Sequence, residues 1–248
     1  MNTTMRTAVI ALHSLGALAF VWPFLAAPLL QDTLALEQIA PIAAVILAGA
    51  VLFVALGGRY TSHEVAVLGV LAGVNAVLRI PGSFGGASPM FALPIIVGAT
   101  MGARAGFLLG STSMLASALI TGGIGPWLPF QALAMGWAGG GAGLVVRDRG
   151  PIPIAIYGWF VGYVFGALLN LSFWPFQRSG SSLAFQPGAS GTENLAGYWR
   201  FYLVTSLAWD SMRAIGNAVL LVVLAAPVRV LLKESQSRGR GRWLPSGS

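Results

Sequence analysis

The stretch FYLVTSLAWDSMRAIGNAVLLVVLAAPV, residues 201–228, decides the fold class. It is apolar over more than the roughly 20 residues that an α-helix needs to cross the hydrocarbon core of a bilayer. It nevertheless carries two opposite charges, Asp210 and Arg213, in its first half. Ionisable groups inside a span are costly and face the protein interior or a cavity. At about 100° per residue, Tyr202, Ser206, Asp210, Arg213 and Asn217 fall within an arc of roughly 80°, one polar stripe on one helix face. Two readings stay open and are compatible. The pair neutralises itself and locks the bundle, or the stripe walls a polar ligand cavity.

Working outward, further apolar runs occupy residues 7–31, 38–58, 65–78, 90–103, 105–121, 127–146 and 152–173. Across the 248 residues, 56% are hydrophobic and 8% charged, with mean hydropathy +0.78. A soluble domain carries roughly 25% charged residues, so this chain cannot cover a soluble surface. The expectation is an all-α integral membrane protein with about eight spans. Runs 65–78 and 90–103 are short for crossing and are read as tilted, half-buried or extended by their flanks. Glycine and proline punctuate the breaks at Gly57-Gly58, Pro81-Gly82, Gly122–Pro126 and Gly150-Pro151. The polar insert 175–197 reads as a mobile loop or a lid. Arg6, an apolar run and Ala26-Ala27 imitate a signal peptide, but a second span follows at once, which favours a retained first helix.

The composition excludes several chemistries. There is no Cys, and therefore no disulfide or thiolate metal site. His13 and His63 are far apart and unpaired, which argues against a transition-metal cargo. Lys233 is the sole lysine, which removes the phosphate-binding Walker loop. Any ATP used must be hydrolysed by another chain. The net charge of +7 follows topology rather than nucleic acid. With eight helices, one side collects Arg6, Arg59, Arg104, Arg147, Arg149, Arg229, Lys233, Arg238, Arg240 and Arg242. The other collects Arg79, Arg178 and Arg200. The positive-inside rule then puts both termini in the cytoplasm, with the tail 238–242 against anionic lipid.

Other polar groups extend the candidate site. Trp159, Tyr163, Gly166 and Asn170 share a face of the preceding helix, and Asn75 and Gln131 are buried-amide candidates. A lone Asn in a span serves more often as interhelical glue than as a ligand contact. Gly136, Gly139, Gly140, Gly141 and Gly143 mark a helix that approaches its neighbours closely. Gly69/Gly73 and Ala72/Ala76 form a second small-residue surface, either internal packing or a docking face for another membrane subunit.

In order, Ala72-Gly-Val-Asn-Ala76, the loop Ile80–Pro89, the hairpin at Gly102–Gly110, the stretch Gly122–Gln131 with its glycine-rich helix, and the last helix from Tyr198 to Arg229 resemble the substrate-binding S component of energy-coupling factor (ECF) transporters. The resemblance covers roughly residues 62–233 and divides the chain into an N-terminal helix pair (1–61), a six-helix core (62–233) and a basic tail (234–248). It implies a multi-pass protein of a prokaryotic cell membrane. Such a protein captures a vitamin or vitamin precursor, cobalamin-like ligands among them, for ATP-driven uptake with a transmembrane coupling subunit and two cytoplasmic ATPases. Gly69, Ala72, Gly73 and Ala76 would meet the coupling subunit. Substrate would be held by Arg79, Phe84, Trp127, Gln131, Asn170, Trp174, Ser206, Asp210, Arg213 and Asn217, the aromatics stacking on a planar ring and the polar groups fixing its edges. No cofactor is implied.

Three rivals compete. An enzyme would need a base beside Ser111, Ser113, Ser117 or Ser206, but His13 is the only intramembrane histidine and Asp210 is paired with Arg213. A stand-alone secondary transporter of a small organic solute would show repeated halves with broken helices. No repeat is evident, though the two short runs fit the second feature. A purely structural membrane protein would bind no small molecule.

Overall fold

The computed structural model describes residues 3–26, 61–79, 88–176 and 183–239. Among them the chain is all-helical, with eight α-helices. These are α1 (Thr3–Ala26), α2 (Ser62–Leu78), α3 (Ala92–Met101), α4 (Ala103–Thr121), α5 (Leu128–Val145), α6 (Pro151–Phe173), α7 (Gly191–Thr205) and α8 (Leu207–Gly239). Two short 3₁₀ turns, Pro89–Phe91 and Trp174–Phe176, lead into α3 and out of α6. Among the described residues, three stretches are long and apolar enough to cross a membrane: Ala103–Thr121, Pro151–Phe176 and Leu207–Arg238. The expected run 38–58 lies outside the described residues, and with it the count of eight spans.

The run 90–103 is short because its helix is internal. α3 has 10 residues, about 15 Å at 1.5 Å per residue, and packs against α4, α5, α6 and α8 with almost every side chain buried. Its neighbours reach it only because glycine faces glycine. A Cβ on Gly98 or Gly106 would strike the Gly139 carbonyl, and one on Gly139 would strike that of Gly106. The glycine line in α5 therefore brings α4 and α5 backbone to backbone, in the most extensive helix pairing among the described residues. Outside this core, large apolar side chains such as Leu119, Leu144 and Val204 are exposed. Spread over the whole helical surface, they suit lipid better than water.

From α2 to α6 the helices run alternately up and down, and α8 continues the alternation. At one end, where α2 and α6 begin and α3, α5 and α8 finish, cationic side chains gather. Asp148, in the left-handed region at φ 56°, lies 3.6 Å from Arg147, 3.8 Å from Arg229 and 4.0 Å from Lys233. Arg229 also donates to the Arg149 carbonyl. At the same end His63 Nε2 lies 3.0 Å from the Ser235 carbonyl, joining α2 to α8. Residues separated in sequence as basic loops are thus one basic end in space.

Two expectations need correction. The apolar run 201–228 is not one helix. It breaks at Ser206 (φ −126°, ψ −27°), which ends α7 and precedes α8. The insert 175–197 is not simply a loop. Its last residues begin α7 under a capping box formed by Ser190 and Glu193. Its described part is also tied down: Asn194 accepts from the Gln186 N–H at 2.9 Å and donates back to the Gln186 carbonyl at 2.9 Å. The first helix, α1, packs on the core. Phe20 is fully buried against Phe130 and Trp137, and the Trp137 indole donates to His13 Nδ1 at 2.9 Å.

Candidate ligand cavity

At the end opposite the basic one, where α2, α4 and α6 finish and α3, α5 and α8 begin, the helices enclose a cavity of about 390 Å³. Its polar wall comes from Arg79, Ser88, Gln131 and Arg213, and its apolar wall from Met90, Phe91, Met114, Phe165 and Leu169, with Trp209 at its side.

Arg79 caps the C-terminus of α2. Its guanidinium donates to Ser117 Oγ at 2.8 Å and to Gln131 Oε1 at 3.1 Å. One turn earlier, Asn75 donates to Ser113 Oγ at 2.8 Å. The spacing of four in both helices makes a two-rung polar ladder between α2 and α4. Ser113 and Ser117 in turn donate to their own helix, to the Gly110 and Met114 carbonyls. Both serines thus act as interhelical acceptors that join α2 to α4.

Arg213 pairs with Asp210 one turn before it in α8. The carboxylate is 2% exposed and lies directly over Gly166 of α6, where a Cβ would overlap it. Only glycine at 166 admits the carboxylate between the two helices. The Tyr202 hydroxyl sits beside it, and Asp210 Oδ2 has no hydrogen-bond partner among the described residues. Arg213 also donates to the Gly162 carbonyl at 3.3 Å and lies 5.8 Å from the Phe165 ring centroid, within cation–π range.

The cavity brings together Arg79, Gln131 and Arg213 of the expected set, with Asp210 behind Arg213. The others go elsewhere. Trp174 is fully buried in a separate aromatic cluster with Phe185, Tyr198 and Phe201, its indole donating to the Leu183 carbonyl at 2.8 Å, so it offers no ring to a ligand. Trp127 lines a different, smaller apolar hollow with Phe130 and Phe173. Asn217 donates to the Gly158 carbonyl at 3.1 Å and joins α8 to α6. Ser206 occupies the helix break, hydrogen-bond distance from Thr205. Asn170 is half-buried on α6 and does not line the cavity. Phe84 lies outside the described residues.

The small-residue face of α2 also divides. Ala72 and Ala76 are buried toward the bundle and cannot form an outer docking face in this arrangement. Gly69 and Gly73 are exposed, with open space where a Cβ would be. Four apart and one apart in sequence are different directions on a helix.

Ser88, Phe91, Phe165 and Trp209 were missed by sequence reading. Ser88 falls at the end of the loop 81–89 that had drawn attention, but nothing in the sequence separates it from the loop's other small residues. No family model matches the chain, nor does any curated protein or solved structure.

Proposed function

We propose that this chain is the membrane-embedded substrate-capture subunit of an ATP-driven micronutrient uptake transporter of the ECF type. The observation that carries this reading is the convergence of Arg79, Gln131 and Arg213 on one cavity between bundle helices, at the end away from the basic residues. Ligand sites of helical bundles lie in such places. The chain has no Walker lysine, so transport energy comes from partner ATPases through a coupling subunit. The exposed strip of α2 around Gly69 and Gly73 is the part of the expected docking face that remains open. The volume lies toward the lower part of the roughly 300–1,000 Å³ range of small-molecule pockets. It favours a compact vitamin or precursor over an intact cobalamin.

The basic end around Asp148 is cytoplasmic under the positive-inside rule, and the cavity opens outward. Because the chain lacks Cys, single-cysteine variants test this directly. Gly150→Cys should react with a membrane-impermeant maleimide only from the cytoplasmic side, and Gly123→Cys only from outside. The reverse pattern overturns the orientation.

The functional test is twofold. The purified chain should carry a small molecule into mass spectrometry, and cells should accumulate that molecule only when the coupling subunit and ATPases are present. A stand-alone carrier is the second reading, favoured by one feature: the ten-residue α3 and its 3₁₀ lead begin at the cavity, like the broken helices of secondary transporters. Accumulation by this chain alone, abolished by an uncoupler, would decide for that alternative.

A further inference from the structure

We infer that the cavity takes a small organic acid, whose carboxylate lies between Arg79 and Arg213 and whose apolar body rests on Phe91, Met114 and Phe165. This deepens the capture reading and rests on it. Two observations carry it, the first being charge. Both arginines line the cavity, and Asp210 neutralises one of them. Among the described residues, no carboxylate pairs with Arg79. Counting the described residues, the cavity therefore holds one uncompensated positive charge.

The second is hydrogen-bond supply. A guanidinium has five N–H donors. Arg79 uses one on Ser117 and one on Gln131, and Arg213 turns a single terminal nitrogen to Asp210 and Gly162. Ser88, buried in the same wall, has a hydroxyl with no hydrogen-bond partner among the described residues, and it can donate to a ligand oxygen. Gln131 accepts from Arg79 through its amide oxygen, and among the described residues its amide N–H₂ has no acceptor, so it can donate to a ligand. The polar wall is thus rich in donors and poor in acceptors. A ligand that brings acceptor oxygens and negative charge satisfies it, whereas an amine or a neutral amide does not.

The experiment offers the detergent-purified protein a defined mixture of acids with their neutral counterparts: nicotinate with nicotinamide, biotin with biotinamide, and pantothenate with pantothenol. Retention is read by native mass spectrometry. Acids should be retained over their neutral partners. Arg79→Gln should weaken retention by roughly tenfold to a hundredfold, as expected for a lost charge-assisted hydrogen bond. Because Arg79→Gln also removes the Ser117 tie, Gln131→Glu serves as the second variant. It places a carboxylate beside Arg79 without removing a cation, and should abolish acid retention while thermal stability holds.

Equal or preferential retention of the neutral members overturns the anion assignment and leaves the capture reading standing. Retention of no member overturns the acid assignment, and the capture reading falls with it only if no small molecule co-purifies with the chain either. A co-purified anionic phospholipid that Gln131→Glu displaces, with no acid retained, shows that the cation binds a lipid headgroup and overturns the assignment to a soluble acid.

Discussion

Asp210 shows how one residue serves two roles. Its carboxylate is buried, holds Arg213 in the cavity wall and fills the gap that Gly166 leaves. Asp210→Ala removes the carboxylate and leaves the guanidinium partly buried without its partner. Breaking a fully buried pair costs about 3–5 kcal/mol. Arg213 keeps some exposure, so the expected loss is about 2–3 kcal/mol. Arg213→Lys keeps the charge and should cost less. Thermal unfolding in detergent checks both, and equal melting of Asp210→Ala and the parent would refute the buried pair. Glu193 makes a residue-scale prediction outside the bundle. The Ser190 hydroxyl and N–H donate to its carboxylate, holding its pKa below the ordinary 4.5. The lowered value means that the ionised form stabilises the fold. That contribution is present above 4.5 and is lost as pH falls through the folded value. Amide protection at the start of α7 should therefore decline on acidification below pH 4.5, and Glu193→Gln should remove that dependence.

At the scale of elements, the α4–α5 contact and the open side of α2 give opposite predictions for the same substitution. Gly139→Ala drives a methyl into the Gly106 carbonyl and should lower Tm, with overpacking typically costing about 1–3 kcal/mol. Gly73→Ala meets nothing and gains helix propensity of up to about 1 kcal/mol, so Tm should stay level or rise. Composition made the glycines conspicuous. Which of them touch a backbone depends on the neighbour, and Gly98 and Gly106 were not seen as partners of Gly139 until the helices were side by side. The same applies to the last apolar run. Its hydropathy is continuous across Ser206, so periodicity alone gave no sign of the break.

The described residues place the basic loops at one end and the cavity at the other, and under the proposed capture role this makes transport and binding separable. Gly73→Leu adds bulk only to the open face of α2. It should leave ligand retention unchanged and reduce uptake in cells expressing the complete complex. Undiminished uptake would mean that the coupling subunit docks elsewhere. Ala72→Trp, by contrast, fills the packed side of the same helix and should destabilise the chain itself. Much of the candidate site was legible as residue types. Arg79, Gln131, Asp210 and Arg213 stand out because polar groups are rare among these apolar runs. Trp127, Trp174 and Asn217 stood out for the same reason and went to packing, because rarity marks a polar or aromatic group without saying which neighbour it faces.

The sequence alone determined the class of protein: helical, too apolar for a soluble surface, without cysteine chemistry or a nucleotide-binding lysine, and with a buried charge pair. These follow from composition and period, which act locally along the chain. Only the tertiary structure decided that Arg79 and Arg213, 134 positions apart, border one cavity, that α3 is internal, and that Ala72 is buried while its neighbour Gly73 is exposed. Those outcomes depend on which helices pack together and how closely. Glycine-mediated approach sets that distance, and it is a property of pairs of helices that no single stretch of sequence contains.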